Sequence, residues 1–183
     1  EDANTDTDAA TSEGIFVAFS GDLPAVGSIV RVLGKVVEDF GNTQINVSDN
    51  WLECGNGVAT AADLSLPFAS ADSAESLEGM LITTSQELTV SDNFRLGRYG
   101  EVALSNGRRF VPTNVYLPGS SEAEALAIAN SLNIVYMGDV NPAQNPDPII
   151  YPTGNLSAVN TLRSGDTVSS VTGVLDYDFG KYL

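Results

Sequence analysis

The sequence predicts an all-β fold with one or two short helices. Two of the observations behind this are runs of β-branched and apolar residues, such as Met80 to Val90 and Thr43 to Val47, and turn signals between them, such as Asn106-Gly107. The third is an internal repeat. Gly27-Ser-Ile-Val-Arg-Val-Leu-Gly34-Lys-Val-Val-Glu-Asp39-Phe40-Gly41 is answered by Gly165-Asp-Thr-Val-Ser-Ser-Val-Thr-Gly173-Val-Leu-Asp-Tyr-Asp178-Phe179-Gly180. Each copy reads as turn glycine, apolar strand, kinking glycine, second strand segment and an Asp-Phe-Gly turn. A glycine inside a strand marks a bulge or bend, and bent strands turn the corners of small barrels.

Taken in order, Gly14 to Phe19 reads as a strand, Asp22-Leu-Pro-Ala as a turn and Ser28 to Val37 as one long bent strand. Thr43 to Val47 alternates as a strand should, and residues 50–60 are irregular. Asp72 with Glu75 caps a short helix. Met80 to Val90 reads as one long strand, Gly100 to Leu104 as another, and Ser121-Glu-Ala-Glu124 as a capping box opening a helix to about Leu132. Asn133 to Met137 is a strand. Four prolines make residues 141–155 a rigid surface loop, and the second repeat copy closes the chain.

Strands at 80–90, 100–104 and 133–137 precede the second repeat copy, whereas only 14–19 precedes the first. The expectation is two OB-fold-like small β-barrels in tandem. Residues 1–66 form a partial barrel, incomplete at its N-terminus, with an acidic loop. Residues 67–183 form a second barrel with helical and Pro-rich insertions. A single irregular β-sandwich is the alternative. The chain opens inside a polar loop and stops at Phe-Gly-Lys-Tyr-Leu, which predicts a piece of something longer.

Eight Lys and Arg against 24 Asp and Glu give a formal net charge of −16. Such a surface repels polyanions at range, so the chain as a whole is a poor DNA binder. Acidity with only two lysines suits an exported, extracellular protein. There is no histidine, which removes the commonest general base and metal ligand. No apolar run reaches the roughly 20 residues of a membrane helix. Cys54 is either a small buried hydrophobe or the partner of a cysteine elsewhere. Two sequons begin at Asn46 and Asn155.

Two constellations carry chemistry. Asp2, Asn4, Asp6, Asp8 and Glu13 take the loop positions whose side chains converge on Ca²⁺ in an EF-hand. Thr7 replaces the usual glycine and a strand follows, so the expectation is a structural Ca²⁺-binding hairpin loop, with a solvated acidic loop as the other reading. Arg95, Arg98, Arg108 and Arg109, four of the six arginines, lie near Tyr99 and Phe110. Arginines interleaved with aromatics can hold phosphates and stack bases, and can equally pair with nearby carboxylates. No catalytic residue is assigned: Gly-x-Ser-x-Gly, the P-loop and any histidine-based triad are missing from the sequence.

Several blocks resemble bacterial secreted extracellular endonucleases. They are Ala10-Thr-Ser-Glu-Gly-Ile-Phe-Val17, Val26-Gly-Ser-Ile-Val-Arg-Val-Leu-Gly-Lys-Val36, Leu77-Glu-Gly-Met-Leu81, Leu96-Gly-Arg-Tyr-Gly-Glu-Val-Ala-Leu-Ser105, Pro112-Thr-Asn114, Ala143-Gln-Asn-Pro-Asp-Pro148, Thr161-Leu-Arg-Ser-Gly-Asp-Thr-Val168 and Gly173-Val-Leu-Asp-Tyr-Asp-Phe-Gly180. In that family such a stretch precedes an endonuclease/exonuclease/phosphatase catalytic domain dependent on a divalent metal such as Mg²⁺. The resemblance implies a non-catalytic accessory region of a secreted nuclease. Its role would be to position or stabilise the catalytic domain of the same polypeptide and to contact DNA. A calcium-stabilised module of an extracellular assembly or filament, joined through an exposed sheet edge, is the other reading.

Overall fold

The computed structural model describes Asp6, Asp8 and residues 10–48 and 50–183. Its strands and helices are, in chain order, β1 (Phe16–Ala18), β2 (Ser28–Arg31), β3 (Gly34–Asp39), β4 (Asn42–Val47), β5 (Leu52–Asn56), β6 (Ala62–Asp63), α1 (Ala71–Glu75), β7 (Leu81–Thr84), β8 (Leu88–Asp92), α2 (Leu96–Tyr99), β9 (Val102–Ser105), α3 (Pro112–Val115), α4 (Ser121–Leu132), β10 (Val135–Met137), β11 (Thr167–Val168), β12 (Val171–Val174), β13 (Tyr177–Asp178) and β14 (Lys181–Tyr182). The chain is all-β with a few short helices. Its sheets run β1–β4–β3, β10–β9–β8–β11, β12–β7–β6, β13–β14 and β2–β5. Among the described residues none of these sheets closes on itself into a barrel.

The reason is that the long strands expected from the sequence are broken. Residues 28–37 are not one bent strand: β2 pairs with β5, and β3 pairs with β4. Gly34 does not bend a strand here; it opens β3, where a Cβ would sit 2.4 Å from the Asn46 carbonyl oxygen. The bulge falls at Ile29/Val30. Residues 80–90 split likewise into β7 and β8. Between them the Gln86 side-chain amide accepts from Leu66 N at 2.8 Å and donates to Leu66 O at 3.0 Å, so it does the work of a strand neighbour. Residues 52–56, expected to be irregular, form β5.

The chain divides into two compact units. The first takes residues up to Asp63 with Asp72–Thr83 and Thr172–Tyr182, and the second takes Leu64–Ala71 and Thr84–Val171 with Leu183. In the first unit the two Asp-Phe-Gly turns have the same structure. Phe40 and Gly41 sit at φ 53 and 92, Phe179 and Gly180 at φ 49 and 76. Asp39 pairs with Asn42 and Asp178 with Lys181, so each turn is a two-residue hairpin loop with both central residues left-handed. The two copies also pack together. Asn42 Nδ2 donates to Asp176 Oδ1 and to the Tyr177 carbonyl, and Gly41 lies against the Tyr177 ring. This unit buries few apolar side chains, chiefly Ala74, Ile82 and Leu175.

The second unit holds the larger core. β8 buries Leu88 and Val90 at the strand period, and β9, the next strand in, is buried at all four positions from Val102 to Ser105. Leu64, Leu66, Phe68, Leu96, Ala123, Val135 and Leu162 complete the core. α4 is the expected helix, but its cap is Ser120, whose side chain accepts from Ala123 N, and not the Ser121–Glu124 box. α2 and α3 were not legible from periodicity, each being only one turn long.

Candidate anion-binding site

The N-terminal acidic loop is described only in part: Asp2 and Asn4 lie outside the described residues. Asp6 Oδ1 accepts from Asp8 N at 2.7 Å, Asp8 Oδ1 from Ala10 N at 3.0 Å and Glu13 Oε1 from Asp6 N at 3.1 Å. These carboxylates cap the loop's own backbone. Among the described residues no three Asp, Glu, Cys or His gather into a metal-binding group.

The four arginines separate into two pairs. Arg95 and Arg98 belong to the α2 turn and are occupied. Arg95 Nε meets Glu101 Oε2 at 2.6 Å, and hydrogen bonding to Glu101 raises its pKa above the ordinary arginine value. Arg98 donates to Gln144 Oε1 at 3.0 Å. Both guanidinium groups also lie on the Tyr99 ring, at 4.7 and 5.3 Å from its centroid. Tyr99 is thus a platform for the protein's own cations.

Arg108 and Arg109 are placed differently. They follow the Asn106-Gly107 turn after β9 and line a cavity of about 340 Å³ with Phe68, Phe110, Leu126 and Asn130. Neither forms an ion pair with a carboxylate among the described residues. Arg108 lies 5.6 Å from the Phe110 ring centroid. Arg109 Nε is buried with no acceptor. Burial pushes this guanidinium below its ordinary value, and Tyr136 and Asp92 pull weakly the other way. A buried donor left unmatched costs about 1–3 kcal/mol.

Side-chain amides fix the walls of this cavity. Asn106 N donates to Asn133 Oδ1 and Asn133 Nδ2 returns to Asn106 O, both at 2.9 Å. Asn106 Nδ2 donates to Leu66 O at 2.8 Å and Asn130 Nδ2 to Phe110 O at 2.9 Å. Phe68 N donates to Leu132 O at 2.8 Å. The 66–68 loop, the 106–110 turn and the end of α4 are therefore pinned to one another. The arginines and Phe110 were visible in the sequence; nothing in its local pattern pointed to Phe68 or to the asparagines.

A second group escaped the sequence reading. Glu78, in the first unit, is 6% exposed. Its Oε1 accepts from Thr43 N at 3.0 Å, while Oε2 is buried without a partner, as is Asn42 Oδ1. Burial raises the pKa of this carboxyl, the Thr43 bond lowers it, and Glu75, Asp176 and Glu38 raise it further. The same unit has a larger cavity, about 590 Å³, lined by Ala18, Phe19, Ser20, Asn46, Val47 and Ser48, none of them charged.

No curated protein and no solved structure matches this chain. A family model matches residues 39–183, a stretch that contains the arginine-lined cavity, Glu78 and the β13–β14 hairpin. The chain belongs to the family described as a domain of unknown function (DUF8508).

Proposed function

We propose that this chain is a non-catalytic accessory module of a secreted bacterial endonuclease, which positions the catalytic domain and contacts nucleic acid through Arg108, Arg109 and Phe110. One observation carries the contact. In a chain of net charge −16, two adjacent guanidinium groups stand without carboxylate partners beside an aromatic ring and a cavity. Arg95, by contrast, is held by the Glu101 carboxylate. Cations left unmatched beside an aromatic face are the equipment of single-strand binding, where phosphates meet guanidinium groups and bases stack. The resemblance of residues 10–180 to extracellular endonucleases supports the parent activity, and the lack of histidine supports a role other than catalysis. Divalent-metal chemistry belongs in this reading to the catalytic domain.

The test is fluorescence anisotropy of a short labelled single strand over a salt series. Replacing both Arg108 and Arg109 by alanine should lower the slope of log K against log salt by about 1.4, since each phosphate contact on a single strand contributes about 0.7. Replacing Arg95 and Arg98 should leave the slope unchanged. Equal slopes for wild type and the Arg108/Arg109 variant would overturn the proposal.

A further inference from the structure

We infer that the cavity beside Arg108 and Arg109 takes the last nucleotide of a strand, with its terminal phosphate on the two guanidinium groups. This rests on the nucleic-acid reading above and narrows it from strand binding to end binding. Size is the first argument. About 340 Å³ lies at the small end of ligand cavities, room for one nucleotide. Charge is the second. A phosphodiester within a strand carries one negative charge, whereas a terminal phosphomonoester carries about 1.5 to 2 at neutral pH. Two adjacent guanidinium groups without ion-pair partners match the monoester.

The rest of the lining determines what is not read. Phe110 and Leu126 offer apolar surface to a base. The amide groups of Asn130 and Asn133 are already committed to the carbonyls of Phe110 and Asn106. They shape the cavity and leave little capacity for reading base edges, so end binding should be indifferent to base identity.

The experiment compares one oligonucleotide carrying a phosphate at its 5′ end, at its 3′ end or at neither, titrated into the whole chain by anisotropy. Inorganic phosphate and a nucleoside monophosphate serve as competitors. A terminal phosphate at one end should tighten binding by about tenfold, the usual scale of a charge-assisted pair. The nucleoside monophosphate should compete better than inorganic phosphate. Arg109→Lys keeps the charge but loses the fork, and should weaken the preference. A melting curve confirms that this variant is folded. Arg108→Ala, at an exposed position, provides a second variant with the same expected loss. Binding that depends on the arginines yet ignores the terminal phosphate would sink end binding and leave the accessory-module reading standing. Inorganic phosphate competing as well as the nucleotide would remove the base from the site and so overturn the inference. No binding of any strand would overturn both.

Discussion

Glu78 is a buried acid whose replacement by glutamine is expected to strengthen the fold at neutral pH. The residue is 6% exposed, and one carboxyl oxygen, Oε2, has no donor. Desolvation raises its pKa, the Thr43 backbone bond opposes this, and the charges of Glu75, Asp176 and Glu38 add to the rise. The folded pKa therefore lies above the unfolded one. A proton on Glu78 stabilises the native state below the unfolded value, and that contribution is lost as pH climbs through the folded value. At neutral pH the native state instead carries an imperfectly solvated carboxylate, at a cost of about 1–3 kcal/mol. Glu78→Gln retains an oxygen for Thr43 N and removes the charge. In a chain of this size each kcal/mol moves Tm by roughly 2–4 °C. Urea unfolding of both proteins between about pH 4 and pH 8 should show nearly equal stability at the acid end and a gap in favour of the variant that opens as pH rises. A variant less stable than wild type by the same amount at every pH would refute the reasoning. It would mean that ionisation of Glu78 does not change its contribution to the fold.

Two further outcomes follow from backbone geometry. Phe40, 91% exposed, holds φ 53 at the tip of the β3–β4 hairpin, a conformation that asparagine tolerates better, so Phe40→Asn should raise stability by about 1 kcal/mol in thermal melts. Gly41→Ala at φ 92 would put a Cβ 2.8 Å from the Tyr177 ring and should lower stability by about 1–2 kcal/mol or more. Ser120→Ala removes the cap on Ala123 N and should cost about 1 kcal/mol, read by the same melts.

The turns were the most legible part of the sequence. Asp-Phe-Gly appears at both hairpins, and the residues themselves demand left-handed backbone at Gly41 and Gly180. α4 was legible because a run rich in Ala, Glu and Leu follows a serine cap. Strand breaks were less so. The apolar pattern runs unbroken across Leu33, and only long-range partners divide it there, β5 for β2 and β4 for β3; at Ser85-Gln86-Glu87 the polar run did hint at the break, and the Gln86 amide bonded to Leu66 fixes it. Pairing of β1 with β4 and of β6 with β7 is parallel, which no turn motif announces. The candidate site was half legible. Proximity in sequence grouped four arginines, but it could not reveal that Glu101 and Gln144 occupy one pair while asparagines on α4 and the 106–107 turn build a cavity at the other.

The most direct measurement is amide NMR of the labelled chain during titration with a short single strand. Shifts should concentrate at residues 66–68, 106–110 and 126–133, with the N-terminal loop and the α2 turn at rest. Shifts that gather at Arg95, Arg98 and Tyr99, or a spectrum that never changes, would contradict this expectation.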